Sequence, residues 1–188
     1  MKKMLTIMLT LCLALLLAGC TLLKRPETDY FTLLRQAAAN ADAELGRRIA
    51  RERNARLSES ELPIDFDELL LLSRYIDSRA GDARLTQEQR LCTGEVMLNR
   101  VASPEFPDTL ADVLYDAGYA PGTRRPSAAA IDAALELLNG RRLLEPRVVY
   151  HSTDKPRGAV YASFCDRYYR RTFFCLTSHP ELYESEKP

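Results

Sequence analysis

Hydrophobic and polar positions divide this chain of 188 residues into stretches of different period. Residues 4–18 are almost wholly apolar and follow the basic start Met1-Lys2-Lys3. A run of that length is short for a membrane span and fits the core of a secretory signal. From Pro26 to about Ser60 the pattern is helical without a firm core face. Tyr30, Phe31, Leu33 and Leu34 give way to alanines, then to Arg47, Arg48, Arg51, Arg53 and Arg56 mixed with Glu44 and Glu52. Charge on every side predicts a solvated helical spacer.

Beyond Pro63 the pattern tightens. Asp65 and Glu68 have the spacing of a helix start, and residues 69–76 predict a nearly all-round apolar helix that Gly81 and Asp82 end. Thr86 and Gln89 form a second capping box, opening a helix that runs to about Ala102 and stops at Pro104. Its apolar side carries Leu91, Met97, Leu98 and Val101. At about 100° per residue, Glu88, Glu95 and Asn99 share a narrow stripe beside that side, which either borders a groove or is plain surface. Asp108-Thr109 caps a short helix through Tyr115, and Ser127 caps another to Asn139, closed by Gly140. The period then falls to two. Residues 147–151, 159–165 and 172–176 predict short strands rich in valine, tyrosine and phenylalanine. The expected class is therefore α+β, mainly helical, with a small antiparallel β element near the C-terminus.

Composition and charge narrow the function classes. The small residues of Leu17-Ala18-Gly19-Cys20 match the cleavage pattern of a bacterial lipoprotein signal, with Cys20 as the lipid-bearing residue. That divides the chain into a signal at 1–19, a lipid-anchored tether at 20–62, a domain at 63–178 and a tail at 179–188. It also predicts an extracytoplasmic protein held to a membrane through Cys20. Without Lys2 and Lys3 the 26 basic residues become 24 against 26 acidic ones, so no strong field is offered to nucleic acid. Cys92, Cys165 and Cys175 form no CxxC and only two histidines accompany them, so neither a metal nor another cofactor is expected. Cys165 and Cys175 either face each other across the last hairpin as a disulfide or remain two buried thiols. Tyr161, Phe164, Tyr168, Tyr169, Phe173 and Phe174 supply faces for sugar rings or for the core.

Within residues 65–176, the stretch GEVMLNRVASPEFPDTLADVLY carries a Leu-Asn-Arg-Val core, a Ser-Pro-x-Phe-Pro-Asp-Thr turn and a following Val-Leu-Tyr. A helix ending in Leu-Asn-Gly and Val148-Val149-Tyr150 before a Lys-Pro-Arg-Gly turn extend the pattern. In this combination the chain resembles the SleB/CwlJ-type cell-wall hydrolases, the spore-cortex-lytic enzymes and their relatives. The resemblance implies a lysozyme-like, mainly helical fold acting on the glycan strands of peptidoglycan, often as a lytic transglycosylase. A protein partner such as another wall enzyme is a further expectation.

The resemblance also exposes a departure. The family's catalytic glutamate ends the helix that corresponds to residues 69–78, and an ungapped match sets it on Arg79. Arginine stays charged at any working pH and cannot deliver a proton. A family glutamine is likewise replaced by Gly118, while the aromatic after it is kept as Tyr119. Three acids are candidate replacements: Asp77 through a register slip of two, Glu95 on the neighbouring helix, and Glu88 on the same stripe. Arg79, Asn99, Tyr119 and Tyr150 are the candidate substrate-binding residues. Two expectations follow, an active hydrolase with a relocated acid, or a silent relative that binds glycan or supports a partner through the same cleft.

Overall fold

The computed structural model describes residues 28–120, 122–166 and 170–186, so the predicted signal, Cys20, Tyr168 and Tyr169 lie outside the described residues. Among the described residues six α-helices precede a three-stranded antiparallel sheet, an α+β arrangement. No helix there is long and apolar enough to cross a membrane.

Helices α1 (Tyr30–Asn40) and α2 (Ala43–Asn54) pack against each other as a pair. Asp29 caps α1 by accepting from the Thr32 amide, and Asp42 caps α2 by accepting from Leu45. Between them Ala41 adopts a left-handed conformation, φ 54°, and its amide returns to the carbonyls of Ala37 and Ala38. This pair corrects the expectation of a solvated spacer. Leu34, Ala37 and Ala38 are fully buried, as nearly are Ile49 and Ala50, and α1 packs on α3 and α6. Apart from Leu34 and Ile49 the buried stripe is made of small residues, so it carries little hydrophobicity yet admits close approach. At Gly46 a Cβ would come within 2.2 Å of the Phe66 ring, so only glycine lets α2 seat on α3. Arg53, counted in the sequence as solvated charge, is 4% exposed. Its guanidinium donates to the Leu62 carbonyl at 2.9 Å and to Asn139 at 3.3 Å, while Phe31 covers it at 5.1 Å.

The centre is built from α3 (Phe66–Ala80), α4 (Gln87–Val101) and α6 (Ala128–Leu138). Asp65 caps α3, the Thr86–Gln89 capping box opens α4 and Ser127 caps α6, each where the sequence sets it. Leu69, Leu72, Ile76, Val96, Ile131 and Leu137 fill the space between them. Gly94 lies at their closest approach, where a Cβ would meet Ile76 and Leu137 at 2.7 Å. The α3–α4 turn is held by Arg90, which is almost buried and donates to the carbonyls of Leu85 and Asp82. Helix α5 (Leu110–Asp116), capped by Thr109, covers one end of α4.

Strands β1 (Val148–Thr153), β2 (Val160–Cys165) and β3 (Arg171–Leu176) lie in the order β1-β3-β2. Phe174 of the central strand is fully buried and anchors the sheet to the helices. The register places Cys165 opposite Arg171, and Cys175 opposite Val160 on β2. The two thiols therefore do not meet, and both are free. Cys175 is buried as one alternative expected, but Cys165 is exposed.

The connection from α6 to β1 has little regular structure, and its backbone groups need partners. Helix α4 supplies them. Both Glu95 carboxylate oxygens accept from the Leu143 amide, at 3.0 and 2.8 Å, and one also accepts from Leu144 at 3.1 Å. The Asn99 amide donates to the carbonyls of Glu145 and Val148 at 3.0 and 3.1 Å. Arg100 Nε donates to Val149 at 2.7 Å. Three side chains of one helix thereby hang the strand that forms one wall of a groove.

Candidate functional site

The groove measures about 880 Å³ and opens between the end of α3, one face of α4, the end of α5 and β1 with the turn after it. Gln89, Thr93, Met97 and Arg100 recur at intervals of three and four along α4 and form its floor. Tyr75 and Arg79 come from α3, Tyr150 and His151 from β1, and Lys155 and Arg157 from the β1–β2 turn.

Two clusters organise these side chains. In the first, the Tyr75 hydroxyl and His151 Nε2 share a hydrogen bond of 2.7 Å. Tyr119 stands edge-on to the Tyr75 ring at 5.3 Å, Phe174 backs His151 at 6.2 Å, and the Arg79 guanidinium lies 6.0 Å from the Tyr75 ring. In the second, the Arg100 guanidinium is set between the rings of Phe106 and Tyr150, at 4.8 and 5.4 Å. Those two rings meet edge to face at 6.1 Å. The second cluster joins the Leu-Asn-Arg helix, the Ser-Pro-x-Phe turn and the Val-Val-Tyr strand at one point.

Burial and positive charge set the protonation of the first cluster. Burial, helped by Arg100, Arg79 and Arg157, lowers the His151 pKa to about 4, so this imidazole is neutral at ordinary pH. Burial pushes the Tyr75 phenol up to about 12 against the opposing pull of Arg79 and Arg100. Tyr119 is also shifted upward, chiefly by burial. Burial lowers Arg100 below the usual guanidinium value.

The sequence candidates divide sharply. Arg79 and Tyr150 line the groove, and Tyr119 packs against Tyr75 beside it. The other four do not line it. Glu95 is fully buried beneath the α6–β1 connection, where burial raises its pKa and the amides of Leu143 and Leu144 oppose that shift. Asn99 is likewise committed to the backbone of that connection. Asp77 accepts from the Ser127 amide at 3.1 Å, at the start of α6. Glu88 is exposed elsewhere on α4. The stripe beside the apolar face of α4 thus borders no groove: Glu88 is open surface, as one alternative expected, while Glu95 and Asn99 are backbone partners.

The acids that do line the groove are Asp116, at the exposed end of α5, and Asp154, in the β1–β2 turn with φ 74°. Sequence reasoning missed Tyr75, His151, Arg100 and Arg157. The α4 stripe of Gln89, Thr93, Met97 and Arg100 was a usable signal, because its spacing defines a single face. Among the described residues no group of three or more His, Cys, Asp or Glu side chains converges to hold a metal ion. Cys92 is buried, and its thiol pKa is pushed up to about 12, mainly by that burial. Comparison of the chain with protein-family models, curated proteins and solved structures finds no match.

Proposed function

We propose that this protein is a lipid-anchored, peptidoglycan-binding relative of the lysozyme-like cell-wall hydrolases, holding glycan strands in its groove without cleaving them. The observation that carries this reading is the occupancy of the groove lip by Arg79, with Asp77, Glu88 and Glu95 all directed elsewhere. Glycosidic cleavage needs a proton donor whose carboxyl is enclosed by apolar groups. Asp116 is exposed and lacks such an enclosure. What the groove offers instead suits binding: it is lined by the rings of Tyr150 and Phe106, which flank Arg100, and by the polar side chains of Gln89 and Thr93. An anchor at Cys20 would hold the groove on the side of the membrane where its polymer lies.

Full-length protein in detergent micelles, incubated with purified sacculi, is expected to co-sediment with them and to release no muropeptides detectable by mass spectrometry. Release of products with 1,6-anhydro or reducing ends that disappears in Asp116→Asn would replace this reading with that of an active enzyme. Arg79→Glu is expected to confer no lytic activity. A carboxylate placed beside Arg100 and Arg157 would be held ionised and would make a poor acid.

A further inference from the structure

We propose that the groove contains a carboxylate subsite formed by Arg79, Arg100 and Arg157 around His151, which receives a free carboxylate of the peptide stem carried by muramyl residues. It rests on the reading that peptidoglycan strands occupy the groove. The three arginines come from three separate elements, the end of α3, the last turn of α4 and the β1–β2 turn, and all three line one cavity. All three also act electrostatically on the same imidazole, so their charges converge on one place.

Convergence of like charge without an ion pair among the described residues is the telling feature. Among the described residues none of the three takes part in an ion pair. Glu105 lies near enough to act on Arg100, yet it accepts the Thr177 hydroxyl instead. Asp116 and Asp154 line the groove without pairing with these arginines. Arg100 is half-buried, and a partly desolvated cation with no direct ion pair carries a cost that an incoming carboxylate would reduce. Its Nε is already committed to Val149, and the rings of Phe106 and Tyr150 fix its plane, so its orientation is set before a ligand arrives. The neutral His151 adds hydrogen-bonding capacity without adding to the repulsion.

The test compares probes that differ only in charge. Isothermal titration of the full-length protein in micelles would use muramyl dipeptide, its methyl ester, a neutral N-acetylglucosamine tetramer and inorganic phosphate. The free acid is expected to bind about tenfold or more tightly than the ester, with an affinity that falls as salt rises. Arg79→Gln and Arg157→Gln should each erase most of that difference between acid and ester, with a clearly smaller loss of tetramer binding. Equal affinity for acid and ester, or equal losses for acid and tetramer, would overturn the subsite. Phosphate binding that depends on the same arginines, with no preference for the acid over the ester, would overturn the assignment to a peptide carboxylate. Dipeptide binding through these arginines without any sacculus binding would sustain the subsite and overturn the glycan-strand reading. No binding of any probe would overturn both.

Discussion

Glu95 shows how a residue type can suggest chemistry while serving structure. A buried carboxylate on the helix next to Arg79 has the position of a relocated acid, but its oxygens are occupied by two consecutive backbone amides. Glu95→Gln places an amide NH₂ against those N–H groups and should cost about 2–3 kcal/mol. Thermal unfolding is expected to fall by roughly 5–10 °C, with sacculus binding by the folded fraction unchanged. A loss of binding without a loss of stability would return Glu95 to the functional residues. His151 gives a prediction with a defined sign. Its pKa is lowered in the folded protein to about 4, while an unfolded chain takes up the proton near 6.5. The stability linked to the neutral ring is therefore complete above about pH 6.5 and is lost as pH falls toward 4. Arg79 from α3, Arg100 from α4 and Arg157 from the turn all oppose its protonation. Against His151→Gln, the wild-type unfolding free energy should drop by up to about 3 kcal/mol more across that interval. Parallel profiles in urea titrations would show that the ring is not held neutral.

Among the elements, the capped helices were the most legible. Asp65, Thr86, Thr109 and Ser127 each stand at an observed helix start, because a cap is a local bond between residues three apart or fewer. The three strands were legible from their period and differ from expectation by one or two residues at an end. What escaped was the burial of the α1–α2 pair, whose helical pattern was itself legible. Its buried face is Ala37, Ala38, Gly46 and Ala50 with few large residues, and a periodicity based on hydrophobicity weighs such positions weakly. Arg53 misled in the same direction, since its burial depends on the Leu62 carbonyl and on Asn139, partners distant in sequence. Gly46→Ala tests the docking directly. The added methyl would collide with the Phe66 ring, and a loss of about 1–3 kcal/mol is expected where an exposed helical glycine would gain stability from alanine. Stabilisation by this change would mean that α2 is not seated on α3.

At the scale of the molecule, α1 and α2 close one side of the core, and the groove opens elsewhere on the same body. Removing residues 1–62 should expose Phe66, Leu69 and their neighbours, which α1 and α2 help to cover. The shortened chain is expected to bind a hydrophobic dye and to lose cooperative unfolding, whereas a separable tether would leave both properties unchanged. The groove was only partly legible because its cations come from α3, α4 and a strand turn, and no spacing within one element signals their convergence. Arg79 emerged through comparison with a family pattern, while Arg157 and His151 depended on how the sheet meets the helices.

The docking of α1 and α2 also limits reach. With the first packed helix starting at Tyr30, a lipid on Cys20, as proposed above, would leave nine residues of sequence between the anchor and that helix. Fully extended, they span no more than about 30 Å, whereas a free segment through residue 62 would cover more than four times that distance. If the proposed anchor and polymer hold, a groove kept that close would meet wall material lying against the membrane and leave the outlying layers to other proteins.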